Sequence, residues 1–124
     1  MNKPKVLYVD DEAINLMLFK ALLKKKYHVL TAENGTSGLK ILSETRDIDV
    51  VFSDMRMPSM NGIEFINEAI KLAPDTEFYI LTGFEITPEI QEALDKKLIR
   101  KYLKKPFKMN DISIEIDNVV IKNG

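Results

Sequence analysis

Cysteine and tryptophan are missing from the 124 residues, and histidine occurs once. Without cysteine there is neither a disulfide framework nor a thiolate metal site. The lone His28 lies near the second strand, away from the acidic residues discussed below, and reads as a structural or surface residue. No apolar run approaches the roughly 18 residues of a membrane span, and the Met1-Asn2-Lys3-Pro4 start has no apolar signal segment. A cytoplasmic location without membrane contact is therefore expected. Neither sign of charge dominates: 18 Lys and Arg face 19 Asp and Glu, leaving a net charge of -1. That balance offers no general attraction to nucleic acid or anionic lipid, so partners must be read from local sites. Repeats, low-complexity stretches and linkers are also missing, and 14.2 kDa has room for one core. Residues 1–124 are read as a single domain.

What is present is a regular alternation. Lys5 to Val9 is a compact apolar run that ends in Asp10-Asp11-Glu12, a buried strand with an acidic carboxyl end. Ile14, Met17, Leu18, Ala21 and Leu22 recur at helical spacing and predict an amphipathic helix with that stripe facing the core, closed by Lys24-Lys25-Lys26 at its negative dipole end. Val29 to Ala32 predicts a second strand, and Asn34-Gly35 opens a helix carrying Leu39, Ile41 and Leu42. Val50-Val51-Phe52 predicts a third strand, buried on both faces, with Asp54 where it stops. Asn61 and Glu64 have the form of a capping box for a third helix that buries Phe65, Ile66, Ala69, Ile70 and Ala73 and ends at Pro74. Phe78 to Leu81 predicts a fourth strand reaching Thr82-Gly83. Thr87-Pro88 caps a short fourth helix with Ile90, Ala93 and Leu94 inward. Ile99 to Leu103 predicts a charged edge strand. Ile112, Ile116, Val119 and Val120 predict a last helix, beginning near Asn110 or Asp111. The pattern is five βα units, an α/β fold with a parallel sheet.

The strand ends share one feature. Asp10 and Asp11 follow strand one, Asp54 follows strand three, Thr82 strand four and Lys105 strand five. In an open parallel sheet, ligands gather outside the carboxyl ends of the strands. Clustered carboxylates resist ionisation unless a cation neutralises them. Oxygen-only ligands suit a hard ion such as Mg²⁺, which takes one or two carboxylates and leaves room for phosphate oxygens. Lys105 adds a point positive charge for an anion, and Thr82 a hydroxyl. A carboxylate nucleophile, a metal, a lysine and a hydroxyl form a device for phosphoryl transfer to Asp54. Any one of these residues alone is more often a turn, a cap or a surface charge.

The ordered set Asp10-Asp11, Asp54 with Pro58 and Gly62 behind it, Thr82-Gly83, and Tyr102 with Lys105-Pro106-Phe107 resembles the receiver domain of two-component response regulators, from about Lys5 to Val120. The resemblance implies a doubly wound (βα)5 flavodoxin-like three-layer sandwich whose five-stranded sheet has the order 2-1-3-4-5. It implies a phosphoacceptor, not a turnover enzyme: Asp54 would receive phosphate from a histidine kinase or a histidine phosphotransfer protein. Asp10, Asp11 and Asp54 would hold Mg²⁺ with the backbone carbonyl of Arg56. Lys105 would pair with the phosphoryl group and precede a cis proline. Thr82 and Tyr102 would form the switch, read out on the face of helix four, strand five and helix five, with homodimerisation there as one expectation. That face includes Lys96, Lys97, Arg100, Lys101, Lys104 and Lys108, which read equally as a docking surface or a solvated one.

Three other readings stand beside this one. An aspartyl-phosphate phosphatase would use a second acid two residues after its nucleophile, where this chain has Arg56. A flavin module needs a phosphate-cradling loop where this chain has Asp10-Asp11-Glu12. A receiver-like interaction module would work without phosphate. Arg56 and Phe84 flank the path of an attacking water, and Met55, Met57 and Met60 read as loop packing. The effector is not legible.

Overall fold

Each short apolar run becomes a strand, because β-branched and aromatic residues fit a pleated surface covered on both sides. The computed structural model describes residues 3–123, so the outermost positions of the expected domain lie outside it. The elements are β1 (Lys5–Val9), α1 (Ala13–Leu23), β2 (His28–Ala32), α2 (Gly35–Glu44), β3 (Val50–Asp54), α3 (Gly62–Leu72), β4 (Glu77–Thr82), α4 (Pro88–Asp95), β5 (Lys101–Lys104) and α5 (Met109–Asn123). All four strand pairings are parallel, in the order β2-β1-β3-β4-β5. This is the doubly wound flavodoxin-like sandwich, with β5 at an edge.

Strand alternation divides the core in two. Leu7, Val9, Val51, Phe78 and Ile80 pack with Phe65, Ile66 and Ala69 of α3 and Ile90 and Ala93 of α4. Val6, Tyr8, Phe52, Tyr79 and Leu81 pack with Phe19 and Leu23 of α1 and Ile112, Ile116 and Val119 of α5. Full burial of each large apolar side chain contributes roughly 1.5–3 kcal/mol before entropy is charged against it.

The expected inner face of α1 is the outer one. Ile14, Met17, Leu18 and Leu22 are 66%, 69%, 51% and 49% exposed, and Ala21 is exposed too. Phe19 and Leu23 are buried instead, with Leu16 half-buried beside them. The helix reads Ala-Ile-Asn-Leu-Met-Leu-Phe-Lys-Ala-Leu-Leu, apolar on nearly every side, so spacing cannot select the packed face. The sheet selects it through the aromatic ring, since Phe19 stacks on Tyr8 at 4.4 Å. Two smaller corrections concern the end of the chain. β5 starts at Lys101, after the Arg100 amide donates to the Phe78 carbonyl at 2.8 Å. α5 begins at Met109, and the Lys108 carbonyl accepts from the Ile112 amide.

The β3–α3 connection is held closest. The Asn61 side chain accepts from the Glu64 amide, and the Glu64 side chain accepts from the Asn61 amide, both at 2.9 Å. This is the expected capping box. Its first helical residue, Gly62, donates its amide to the Met55 carbonyl at 2.8 Å. A Cβ here would run into the Asp54 carbonyl and meet Ile80 Cδ1 at 2.8 Å. Gly62 therefore permits the approach of α3 to the end of β3. Gly62→Ala is expected to lower stability by about 1–3 kcal/mol, the cost of overpacking. Urea denaturation checks this, and an unchanged midpoint would contradict the steric account.

Candidate functional site

The sheet order brings the carboxyl ends of β1, β3, β4 and β5 side by side, and with them the acidic and basic residues that follow each strand. Asp10 is fully buried and Asp54 nearly so, whereas Asp11 is exposed. One oxygen from each of these three lies within 4.8 Å of the others. Lys105 enters from the far edge. Its amide donates to the Thr82 carbonyl at 2.8 Å, and the Lys105–Pro106 peptide is cis. Its ammonium reaches Asp10 Oδ2 at 2.8 Å and Asp54 Oδ1 at 3.3 Å.

The two buried acids titrate in opposite directions. For Asp10, burial pushes upward but is outweighed by hydrogen bonds from Lys105, Tyr8 and the Glu12 amide, which hold the carboxyl below its usual range. For Asp54, burial prevails, aided by the charges of Asp10 and Asp11 and only partly offset by Lys105, so its value is raised. Burial pulls Lys105 down, but Asp10 and Asp54 more than compensate, and it remains protonated. The arrangement is a buried carboxylate with unspent basicity, next to a fixed ammonium and two further acids.

Thr82 is buried at the end of β4, where its Oγ1 accepts from the Phe84 amide at 3.1 Å. Tyr102 sits in β5 opposite Ile80, half-buried against the same cluster as Ile90 and Ala93 of α4. The Arg56 guanidinium lies 3.8 Å from the centre of the Phe84 ring, joining the residues two positions beyond Asp54 and Thr82. Met55 is buried, and Met57 and Met60 pack on the core, as expected of loop packing. His28 is exposed on β2. Two partners of Asp10 were not foreseen. The Tyr8 hydroxyl donates to Asp10 Oδ2 at 2.5 Å, and Asn15 Nδ2 donates to it at 3.2 Å. The signal for Tyr8 was its place two residues before Asp10, on the same strand face.

The family model described as the response regulator receiver domain matches residues 6–117. The chain belongs to that family. Receivers are signalling domains of two-component systems that work by phosphorylation and hold Mg²⁺ through acidic residues. Three oxygen donors with no nitrogen or sulfur ligand suit that ion. The response regulator receiver protein CpdR of Brucella abortus (strain 2308) is 34% identical over 119 residues, covering 94% of this chain and 95% of its own. The transcriptional regulatory protein GlrR of Escherichia coli (strain K12) is 30% identical over 115 residues, but the receiver spans only 26% of its length. A solved receiver domain from Clostridium thermocellum superposes with a TM-score of 0.85 at 36% identity, covering 97% of this chain and 96% of that one.

Four of the six basic residues of the α4–β5–α5 face have acidic neighbours. Lys96 pairs with Glu92 at 2.6 Å, Lys101 with Glu115 at 2.9 Å, Lys104 with Glu85 at 3.6 Å and Arg100 with Glu77 at 3.9 Å. A groove of about 770 Å³ lies at the other end of the sheet between Arg46–Asp49 and Ala73–Thr76, remote from Asp10, Asp11 and Asp54. No helix among the described residues is long and apolar enough to cross a membrane.

The raised value of Asp54 sets a sign. A carboxyl whose folded value is raised favours folding when protonated, and that advantage disappears as pH rises through the folded value. In Mg²⁺-free buffer, Asp54→Asn is expected to be more stable than the wild type near neutral pH, with the gap narrowing as the pH becomes acidic. Urea midpoints across that range check it, and a gap that is reversed or independent of pH would contradict the burial account.

Proposed function

We propose that this receiver stores a phosphoryl group on Asp54, delivered by a histidine kinase or histidine phosphotransfer protein in the cytoplasm. The observation that carries the reading is the Lys105 ammonium spanning Asp10 and Asp54 beside a third carboxylate. An Asp54 oxygen attacks phosphorus, the bond from phosphorus to the donor nitrogen breaks, and the donor leaves with that electron pair. Lys105 moves its charge toward the transferred oxygens, and Asp54 is held for in-line approach by the β3 end and Gly62. Bound to Asp10, Asp11, Asp54 and the Arg56 carbonyl, Mg²⁺ would spread the charge developing on the phosphoryl oxygens. The Thr82 hydroxyl then turns to the phosphoryl group and Tyr102 moves inward, carrying the state to the α4–β5–α5 face, where an effector or a second copy would read it. Arg56, placed where a hydrolase of this chemistry needs an acid, stacks on Phe84 and offers no proton, which favours storage over turnover.

The exposed face of α1 supports a docking surface for the donor. Ile14, Leu18 and Leu22 are successive turns of one exposed line about 12 Å long, with Met17 beside it. The line starts beside Asp10 and Asp11, at the mouth of the site. An apolar helical face on the phosphohistidine-bearing partner is its fitting occupant.

Intact-mass analysis tests both parts. Acetyl phosphate with Mg²⁺ should add one phosphoryl group to the wild type and none to Asp54→Asn, and chelating the Mg²⁺ should abolish labelling. Leu18→Lys should keep labelling by acetyl phosphate but slow transfer at least tenfold from a phosphorylated histidine phosphotransfer protein that serves the wild type. Labelled Asp54→Asn would contradict the acceptor, and unchanged protein-to-protein transfer would contradict the docking face.

A further inference from the structure

A buried tyrosine hydroxyl must find an acceptor, and the one it finds fixes both groups. Tyr8 is fully buried in the middle layer of the fold. Its ring stacks on Phe19 at 4.4 Å and 27°, and meets the edge of Phe107 at 6.1 Å and 79°. Between these rings the hydroxyl has little freedom, and it donates to Asp10 Oδ2. Lys105 and Asn15 donate to the same oxygen at 2.8 and 3.2 Å, whereas among the described residues Oδ1 accepts only from the Glu12 amide, at 2.9 Å. A carboxylate has about four lone-pair positions, so the free acceptor capacity of Asp10 is on Oδ1. Of the three donors to Oδ2, Lys105 is shared with Asp54, and Asn15 makes the longest contact. Tyr8 is the fully buried donor of the three, held between two aromatic rings.

We propose that Tyr8 is a positioning residue for the metal site, its hydroxyl clamping Asp10 Oδ2 so that Oδ1 is presented with Asp11 and Asp54 to a divalent cation. The proposal rests on the assignment of Asp10 as a metal ligand. Partners that orient a ligand in this way usually account for 10–100-fold in metal affinity. The fold supplies a matched control. Tyr79, also fully buried, donates to Glu115 Oε1 at 3.0 Å, and Lys101 donates to the same carboxylate at 2.9 Å. That second tyrosine–carboxylate–lysine group joins β4, β5 and α5, with no member among the three clustered acids.

Calorimetric titration with Mg²⁺ alone, on the wild type, Tyr8→Phe and Tyr79→Phe, decides the matter. Tyr8→Phe should raise the dissociation constant about tenfold or more. Tyr79→Phe should leave it within about twofold of the wild type while still lowering the denaturation midpoint, as loss of a buried hydrogen bond does. Equal affinities for Tyr8→Phe and the wild type, or equal weakening by both variants, would overturn the role of Tyr8 and leave the metal site intact. A wild type that binds no Mg²⁺ would overturn the proposal together with the ligand assignment beneath it. Should Tyr8→Phe not fold, proton NMR of the wild type provides the readout. The slowly exchanging Tyr8 hydroxyl resonance should persist on Mg²⁺ saturation, and its loss would overturn the clamp.

Discussion

One ammonium group, that of Lys105, stands between two buried carboxylates, and most of the molecule serves to keep it there. Unpaired, Asp10 and Asp54 would be like charges removed from water, an arrangement that costs several kcal/mol per ion. Lys105 is held to this position by its amide on the Thr82 carbonyl. That bond depends on β5 lying against β4, and the contact with Asp10 depends on β1 lying against β3. The sheet order is thus the condition for the electrostatics.

The same contacts divide the labour between the acids. Among the described residues Asp10 receives four hydrogen bonds and is held ionised, while Asp54 receives only the shared ammonium and retains its basicity. The proposed roles suit this difference: attack on phosphorus needs an available lone pair, and holding a cation needs a fixed orientation. The surface follows a comparable division. Lys96, Lys101 and Lys104 of the α4–β5–α5 region pair with neighbouring glutamates, and the exposed apolar line of Ile14, Leu18 and Leu22 is on α1, beside the site.

Features decided within a few residues were legible in the sequence. Asn61 and Glu64 cap α3 as their spacing requires, Thr87 and Pro88 start α4, and five βα units could be counted from the apolar runs. The carboxyl-end placement of Asp10, Asp11, Asp54, Thr82 and Lys105 followed from strand polarity alone, but their convergence needed the strand order, which came through resemblance to the family. Features decided by packing were less visible. In α1, apolar residues surround the helix, and the choice of Phe19 over Ile14 and Leu18 belongs to the aromatic layer beneath it. Tyr8 was hidden for a related reason: within Val-Leu-Tyr-Val it counts as one more buried residue, and its hydroxyl matters only once the geometry beside Asp10 is known. β5 could be placed at an edge from its charges, yet its first residue depends on where Arg100 meets Phe78.

The central claim is that Asp54, and no neighbouring acid or hydroxyl, becomes the acyl phosphate. Borohydride reduces an aspartyl phosphate to homoserine, which marks the modified residue permanently. Wild-type protein labelled with acetyl phosphate, reduced, digested and sequenced by mass spectrometry should carry homoserine at position 54. Homoserine at Asp10 or Asp11, or a borohydride-resistant phosphate on Ser53 or Thr82, would contradict the account.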